Sequence, residues 1–147
     1  MKVYIGSDHG GFALKNIIQT ALDGDGFEVT DCGNAVLDSE DDYPKFAEKV
    51  ARAVLADPGS RGVLTCRSGE GMAMAANKVP GIRAALAWCP EIASETRRDN
   101  DANVVVLPAD FMDDQKALGI VRVFLQTDFS GAQRHTRRVE QLAEMEA

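Results

Sequence analysis

GVLTCRSGEGMAMAAN, residues 62–77, holds the passage from strand to helix on which the fold reading rests. Gly62 to Thr65 is an apolar run of buried-strand length, RSGEG at 67–71 supplies a turn, and MAMAAN at 72–77 has helical composition before VPG at 79–81 breaks it. The same alternation continues in both directions. Upstream, DPGS (57–60) is a turn that follows a helix opened by Tyr43 and Pro44, with Phe46, Val50, Ala53 and Val54 on one face; proline suits the first helical turn. Before that helix lies a polar loop at about 32–42, a strand FEVT (27–30), and a stop at DGDG (23–26). That stop ends a helix over 11–23 whose Phe12, Leu14, Ile17, Ile18, Ala21 and Leu22 share a face, and KVYIG (2–6) is the first strand. Downstream come a strand IRAALA (82–87), a helix from Pro90 to about 99, a strand NVVVL (103–107) and helices near 112–126 and 132–146. Strands alternating with helices predict one α/β domain over 1–147: three layers, α/β/α, around a five-stranded, mainly parallel, doubly wound sheet. In such sheets ligands bind at the carboxyl ends of the strands, where strand order reverses.

Composition narrows the function. The chain has 147 residues, is 45% hydrophobic and carries a formal net charge of −7. That balance supports an ordinary core and argues against nucleic acid as partner, since such binding draws on clustered Lys and Arg. No run reaches the roughly 18 apolar residues of a membrane span, and the start reads as a strand rather than a signal peptide. A cytoplasmic protein without a membrane partner is expected. Cys32, Cys66 and Cys89 are odd in number and lack a C-x-x-C pair, so a disulfide framework is not expected. His9 and His135 have no metal-ligand spacing with a cysteine, so no metal is expected. RHTRR at 134–138 is a local cationic cluster on an acidic chain. It reads either as a site for a small anion or as a solvated helix face.

Cys66 stands at the end of a buried strand, before a glycine turn that opens a helix. Free backbone N–H groups and the helix dipole there are expected to lower the thiol's pKa and to stabilise an anion forming on a substrate. Ser68 suits a cap or a donor to that anion. The bland alternative is a buried structural thiol. Counting excludes nearby motifs: a tyrosine-phosphatase loop needs Arg where Met72 stands, no Gly-Lys-Ser/Thr ending marks a nucleotide P-loop, and GSDHGG (6–11) does not match G-x-G-x-x-G. Asp8 and His9 put a carboxylate and an imidazole at the tip of the first strand, fit either for substrate or for a helix cap and a loop.

GSDHGGF (6–12), DYP (42–44), CRSGEG (66–71), AANKVPGIRA (75–84), NDANV (100–104) and RHTRRV (134–139), in this order and spacing, resemble the ribose-5-phosphate isomerase B family, which includes the galactose-6-phosphate isomerase subunits. The resemblance runs over nearly the whole chain. It implies a doubly wound fold, a homodimer with sites at the subunit interface and the option of a tetramer, no cofactor, and aldose–ketose isomerisation of a small phosphorylated sugar through an enediolate. Cys66 matches the base that moves a proton between carbons 1 and 2. Ser68 and the backbone from Gly69 through Glu70 to Gly71 match the loop holding the enediolate. Asp8, Tyr43 and Asn100 match positions around the sugar, and His9, Arg134 and Arg138 match the phosphate site.

The sequence also departs from that pattern. Asp99 stands where many members carry a ring-opening histidine, Arg67 where many carry glycine, and Asp110 near a phosphate-contacting arginine. Met72 stands where some relatives carry a glutamate base, which leaves Cys66 the candidate and Glu70 second. An ion pair from Arg67 to Asp99 or Asp110 is expected. A carboxyl is a poor proton donor at neutrality unless burial keeps its proton on. Asp99 therefore also fits a shorter substrate that forms no ring, such as a tetrulose phosphate. Altered chemistry on a related phosphorylated polyol or sugar acid, and a non-catalytic phosphate-binding module, are the remaining readings.

Overall fold

A computed structural model describes residues 1–146. Five strands form one sheet in the order β2-β1-β3-β5-β4, every pairing parallel. They are β1 (Lys2–Ser7), β2 (Glu28–Asp31), β3 (Arg61–Cys66), β4 (Ala84–Leu86) and β5 (Val104–Pro108). The helices are α1 (Phe12–Gly24), α2 (Tyr43–Ala56), α3 (Glu70–Ala76), α4 (Pro90–Asn100), α5 (Asp114–Gln126) and α6 (Gln133–Glu144).

Period-two alternation splits the core into two layers. Val3, Ile5, Val63, Val105 and Leu107 face α1, α4 and α5, where Leu14, Ile18, Leu22, Ala93, Ile120 and Phe124 meet them. Leu64, Cys66, Val104 and Val106 face α2 and α3, against Phe46, Val50, Val54 and Met72. Each of these fully buried aliphatic side chains contributes on the order of 1.5–3 kcal/mol relative to exposure. The first connection from β1 runs outward to β2, while the next crosses back to β3 on the other side of β1. Strand order thus reverses between β1 and β3, and their carboxyl ends carry Asp8 and Cys66.

Some expected boundaries move, for local reasons. Helix α3 starts at Glu70, not 72, because Gly69 with φ 77° turns the chain and leaves Glu70 free to begin it. Asp113 caps α5 by accepting from Lys116 N at 2.8 Å, so that helix opens at Asp114. β4 keeps only Ala84–Leu86 of the expected 82–87, and Ile82 closes a turn on Val79 O instead. On α1, Ile17 is exposed while Lys15 takes a buried place beside Leu14 and Ile18. On α2, Ala47 and Ala51 join the buried face and Ala53 lies at its margin.

Candidate active site

The loops after β1 and β3 meet at the reversal point. A Cβ built on Gly10 falls 2.5 Å from Arg67 Cγ, so the Arg67 chain lies directly over the β1 loop. On the far side of Cys66, a Cβ on Gly71 would stand 2.8 Å from the Tyr43 ring. Tyr43, at the start of α2, therefore closes over the glycine turn. Asp8, His9, Tyr43, Arg67, Ser68, Gly69, Glu70 and Gly71 are gathered in this way around Cys66. Between Cys66 and α3, Gly69 holds a left-handed conformation, and a Cβ there would meet Leu86 Cδ1 at 2.5 Å. A side chain at 69 would strain the turn and push the amides away from the thiol.

Cys66 is buried, and its Sγ accepts from Gly69 N at 3.1 Å. Burial is the largest influence on the thiol and pushes its pKa up. The N–H groups of Met72, Gly69 and Ser68 pull it down, and the Asp8 charge adds to the upward push. The expectation of a lowered pKa is therefore corrected. Desolvation of a thiol sealed against α2 outweighs the amide hydrogen bonds at the start of α3. Ser68 is not the helix cap; that position belongs to Gly69, and Ser68 Oγ accepts from Glu70 N at 3.4 Å.

Asp8 does act as a cap: its Oδ1 accepts from Gly11 N at 3.1 Å and closes a single 3-10 turn, His9–Gly11. His9 is more than a loop residue, because its Nδ1 lies 2.7 Å from Asp41 Oδ1. That bond raises the imidazole pKa; burial lowers it, the charges of Asp8 and Asp41 raise it, and Arg67 lowers it. Arg67 pairs with Asp110 at 3.4 Å rather than with Asp99, and Asp110 N donates to Arg67 O at 3.0 Å. Among the described residues no three His, Cys, Asp or Glu side chains stand close enough to share a metal ion.

The other sequence-selected residues lie elsewhere. Gly62 N donates to Asn103 O at the amino ends of β3 and β5, just after Asn100. Cys66 stands four residues further along β3, about 13 Å away at roughly 3.3 Å per residue. Asp99 and Asn100 end α4 at that opposite edge, and α6 packs beside them. Asp99 is 41% exposed and lies 3.5 Å from His135 Nε2 and 4.0 Å from Arg98 Nε. Arg134 and Arg138 are exposed on α6, four residues apart and so on one face. One chain thus holds two separate groups, one around Cys66 and one around Asn100.

Comparison with known proteins gives this arrangement its context. The profile of the Ribose/Galactose Isomerase family matches residues 3–142. The chain belongs to that family. Relatives at 42–44% identity are named ribose-5-phosphate isomerase B, an aldose–ketose isomerase, and this chain is an enzyme of that class. It is 44% identical to ribose-5-phosphate isomerase B of Mycobacterium tuberculosis over 99% of this chain and 90% of the relative. The ribose-5-phosphate isomerase B of Clostridium thermocellum superposes with a TM-score of 0.94 at 43% identity, covering 99% of this chain and 97% of that one. The Mycoplasma genitalium enzyme, solved with bound ribulose-5-phosphate, gives 0.93 at 40% identity, covering 99% and 95%.

Within this isomerase fold, sequence reading passed over several side chains. Lys15 is fully buried on α1, its Nζ donating to Asp31 Oδ2 at 2.8 Å and to Asn34 O at 2.9 Å. Its position, three before Ile18 and seven before Leu22, was the available signal: a lysine inside an apolar stripe. Arg97 is likewise buried, bonded to Asp101 Oδ1 at 2.9 Å, Thr127 O and Ala102 O. It anchors Asp101, which turns the chain at φ 49° directly after Asn100. His135, noted only within a basic run, is the buried member of that run and faces Asp99.

Proposed function

We propose that this enzyme interconverts an aldose phosphate and its ketose, of the ribose 5-phosphate/ribulose 5-phosphate type, by proton transfer through an enediolate. The observation that carries the proposal is the buried thiol of Cys66, its sulfur turned to a backbone N–H, inside a ring of polar side chains at the strand-reversal point. Cys66 as thiolate takes the proton from carbon 2 of the open-chain aldose and returns it to carbon 1. Meanwhile the hydroxyl proton passes from oxygen 2 to oxygen 1. A thiol held high by burial is scarce as thiolate at neutrality, but each thiolate is the stronger base. Ser68 and the amides from Gly69 to Gly71 are suited to hold the enediolate oxygen. Asp8 and Tyr43 are placed beside the same loop for the sugar hydroxyls, and His9 for the phosphate.

Asn100 lies at the other end of the strands from Cys66, and Arg134 and Arg138 lie on α6, which packs beside α4. The reading is therefore a homodimer in which the α4 and α6 edge of one subunit completes the Cys66 site of the other. The paired arginines then supply the charge-assisted contacts that a phosphate dianion takes up.

A second reading of the substrate rests on Asp99. It is 41% exposed and faces His135 and Arg98, so it is not the sealed-off acid that ring opening by a carboxyl requires. A tetrulose phosphate, which forms no such ring, makes no demand on it. A panel of four-, five- and six-carbon sugar phosphates tests both readings. The expected result is turnover of ribose 5-phosphate, with a higher kcat/KM on the tetrulose phosphate and an Asp99→His variant that gains on ribose 5-phosphate. Faster turnover of ribose 5-phosphate than of any tetrulose phosphate removes the second reading. No turnover of any member, with phosphate still bound, removes both and leaves a binding module.

A further inference from the structure

The segment joining β2 to α2 has no regular structure, yet a run of polar contacts pins it from the core outward. Lys15, held by Asp31, donates to Asn34 O; the Asn34 side chain then donates to Asp41 Oδ2 at 3.3 Å. The other oxygen of Asp41 receives His9 twice, from the backbone N at 3.0 Å and at the ring Nδ1 at 2.7 Å. The Asp41 side chain is only 7% exposed, whereas that of His9 is 31% exposed. A carboxylate bound so firmly from both sides presents a fixed acceptor to one ring nitrogen.

We propose that Asp41 is a positioning residue for phosphate recognition, holding Nδ1–H of His9 so that the ring meets a phosphate through Nε2 and only as the imidazolium. This rests on the reading that His9 contacts the substrate phosphate. The tautomer follows from the bond: a proton held on Nδ1 for Asp41 leaves neutral Nε2 with a lone pair, which repels a phosphate oxygen. A second proton converts Nε2 into a charged donor. The charged groups facing the ring are Asp41 from the segment before α2, Asp8 from the β1 loop and Arg67 from the β3 loop, itself paired with Asp110. The carboxylates favour the imidazolium and Arg67 opposes it, with the direct bond to Asp41 the largest influence. Charged His9 is favoured at low pH, and this favour is lost as pH rises through its raised pKa.

The test is binding of inorganic phosphate to the full-length protein, measured calorimetrically from about pH 5.5 to 8.5 for wild type, Asp41→Asn and His9→Asn. Taking the ratio of variant to wild-type Kd cancels the ionisation of phosphate itself. For Asp41→Asn the ratio is expected near one at the acid end, climbing to about tenfold at the alkaline end as the variant's His9 discharges earlier. Proton NMR of the ring C–H signals gives an independent readout: the His9 titration moves to lower pH in Asp41→Asn, with the His135 signal as internal reference. A constant Kd ratio across pH, or an unmoved His9 titration, overturns the role of Asp41. Wild-type phosphate binding in His9→Asn overturns the His9 reading on which it stands.

Discussion

Replacing Cys66 with alanine is expected to lower kcat by about a thousandfold or more while the affinity for phosphorylated sugar changes little. Cys66 carries the one titratable side chain of the β3 loop that is both buried and hydrogen-bonded to a backbone amide. In the proposed mechanism its removal takes away the proton carrier but leaves the phosphate contacts, so the loss is expected to fall on kcat. The pH dependence has a definite sign. Burial pushes the thiol's pKa up, so the wild-type rate is expected to climb as pH rises toward it, and the residual activity of Cys66→Ala to lack that limb. The truncation removes one small buried atom, so a thermal melt close to wild type separates a chemical effect from a folding one. Activity retained in Cys66→Ala would move the base to Glu70, the exposed carboxylate that begins α3.

Mixing two inactive variants is expected to restore activity. In the proposed site Cys66→Ala lacks the base, and Asn100→Ala lacks the sugar contact supplied from the other end of the strands. If each site draws Cys66 from one subunit and Asn100 from its partner, a heterodimer has one site with both lesions and one intact. Random reassortment makes half the dimers heterodimers, so the mixture reaches about a quarter of wild-type activity. Asn100 is exposed at the end of α4, which makes its truncation mild for folding. Heterodimers that form without regaining activity would put both residues in one subunit's site, against their separation along the fold.

Legibility of the chain from sequence follows how local each feature is. The strand, turn and helix around Cys66 rest on neighbours within a few residues, so GVLT, the glycine turn and the alanine-rich helix were readable directly. Parallel order and the meeting of the Asp8 and Cys66 loops follow from the alternation of elements. The balance on the Cys66 thiol was not readable, because it depends on how tightly α2 seals the sheet. Nor was the partner of Arg67: both Asp99 and Asp110 suited it by charge, but they end up at opposite ends of the strands. The run from Lys15 through Asn34 and Asp41 to His9 joins residues far apart in sequence, across a loop with no periodicity. Only the misplaced lysine on α1 marked it in advance.

The most direct measurement is isomerisation of ribose 5-phosphate in deuterium oxide, followed by NMR at carbons 1 and 2. A thiol that carries the proton gives it a chance to exchange with solvent between abstraction and return. Wild-type enzyme is therefore expected to place deuterium at carbon 1 of the ketose, and Cys66→Ala to lose conversion and incorporation together. Conversion and deuterium incorporation by Cys66→Ala equal to those of wild type would contradict proton transfer by Cys66 through an enediolate.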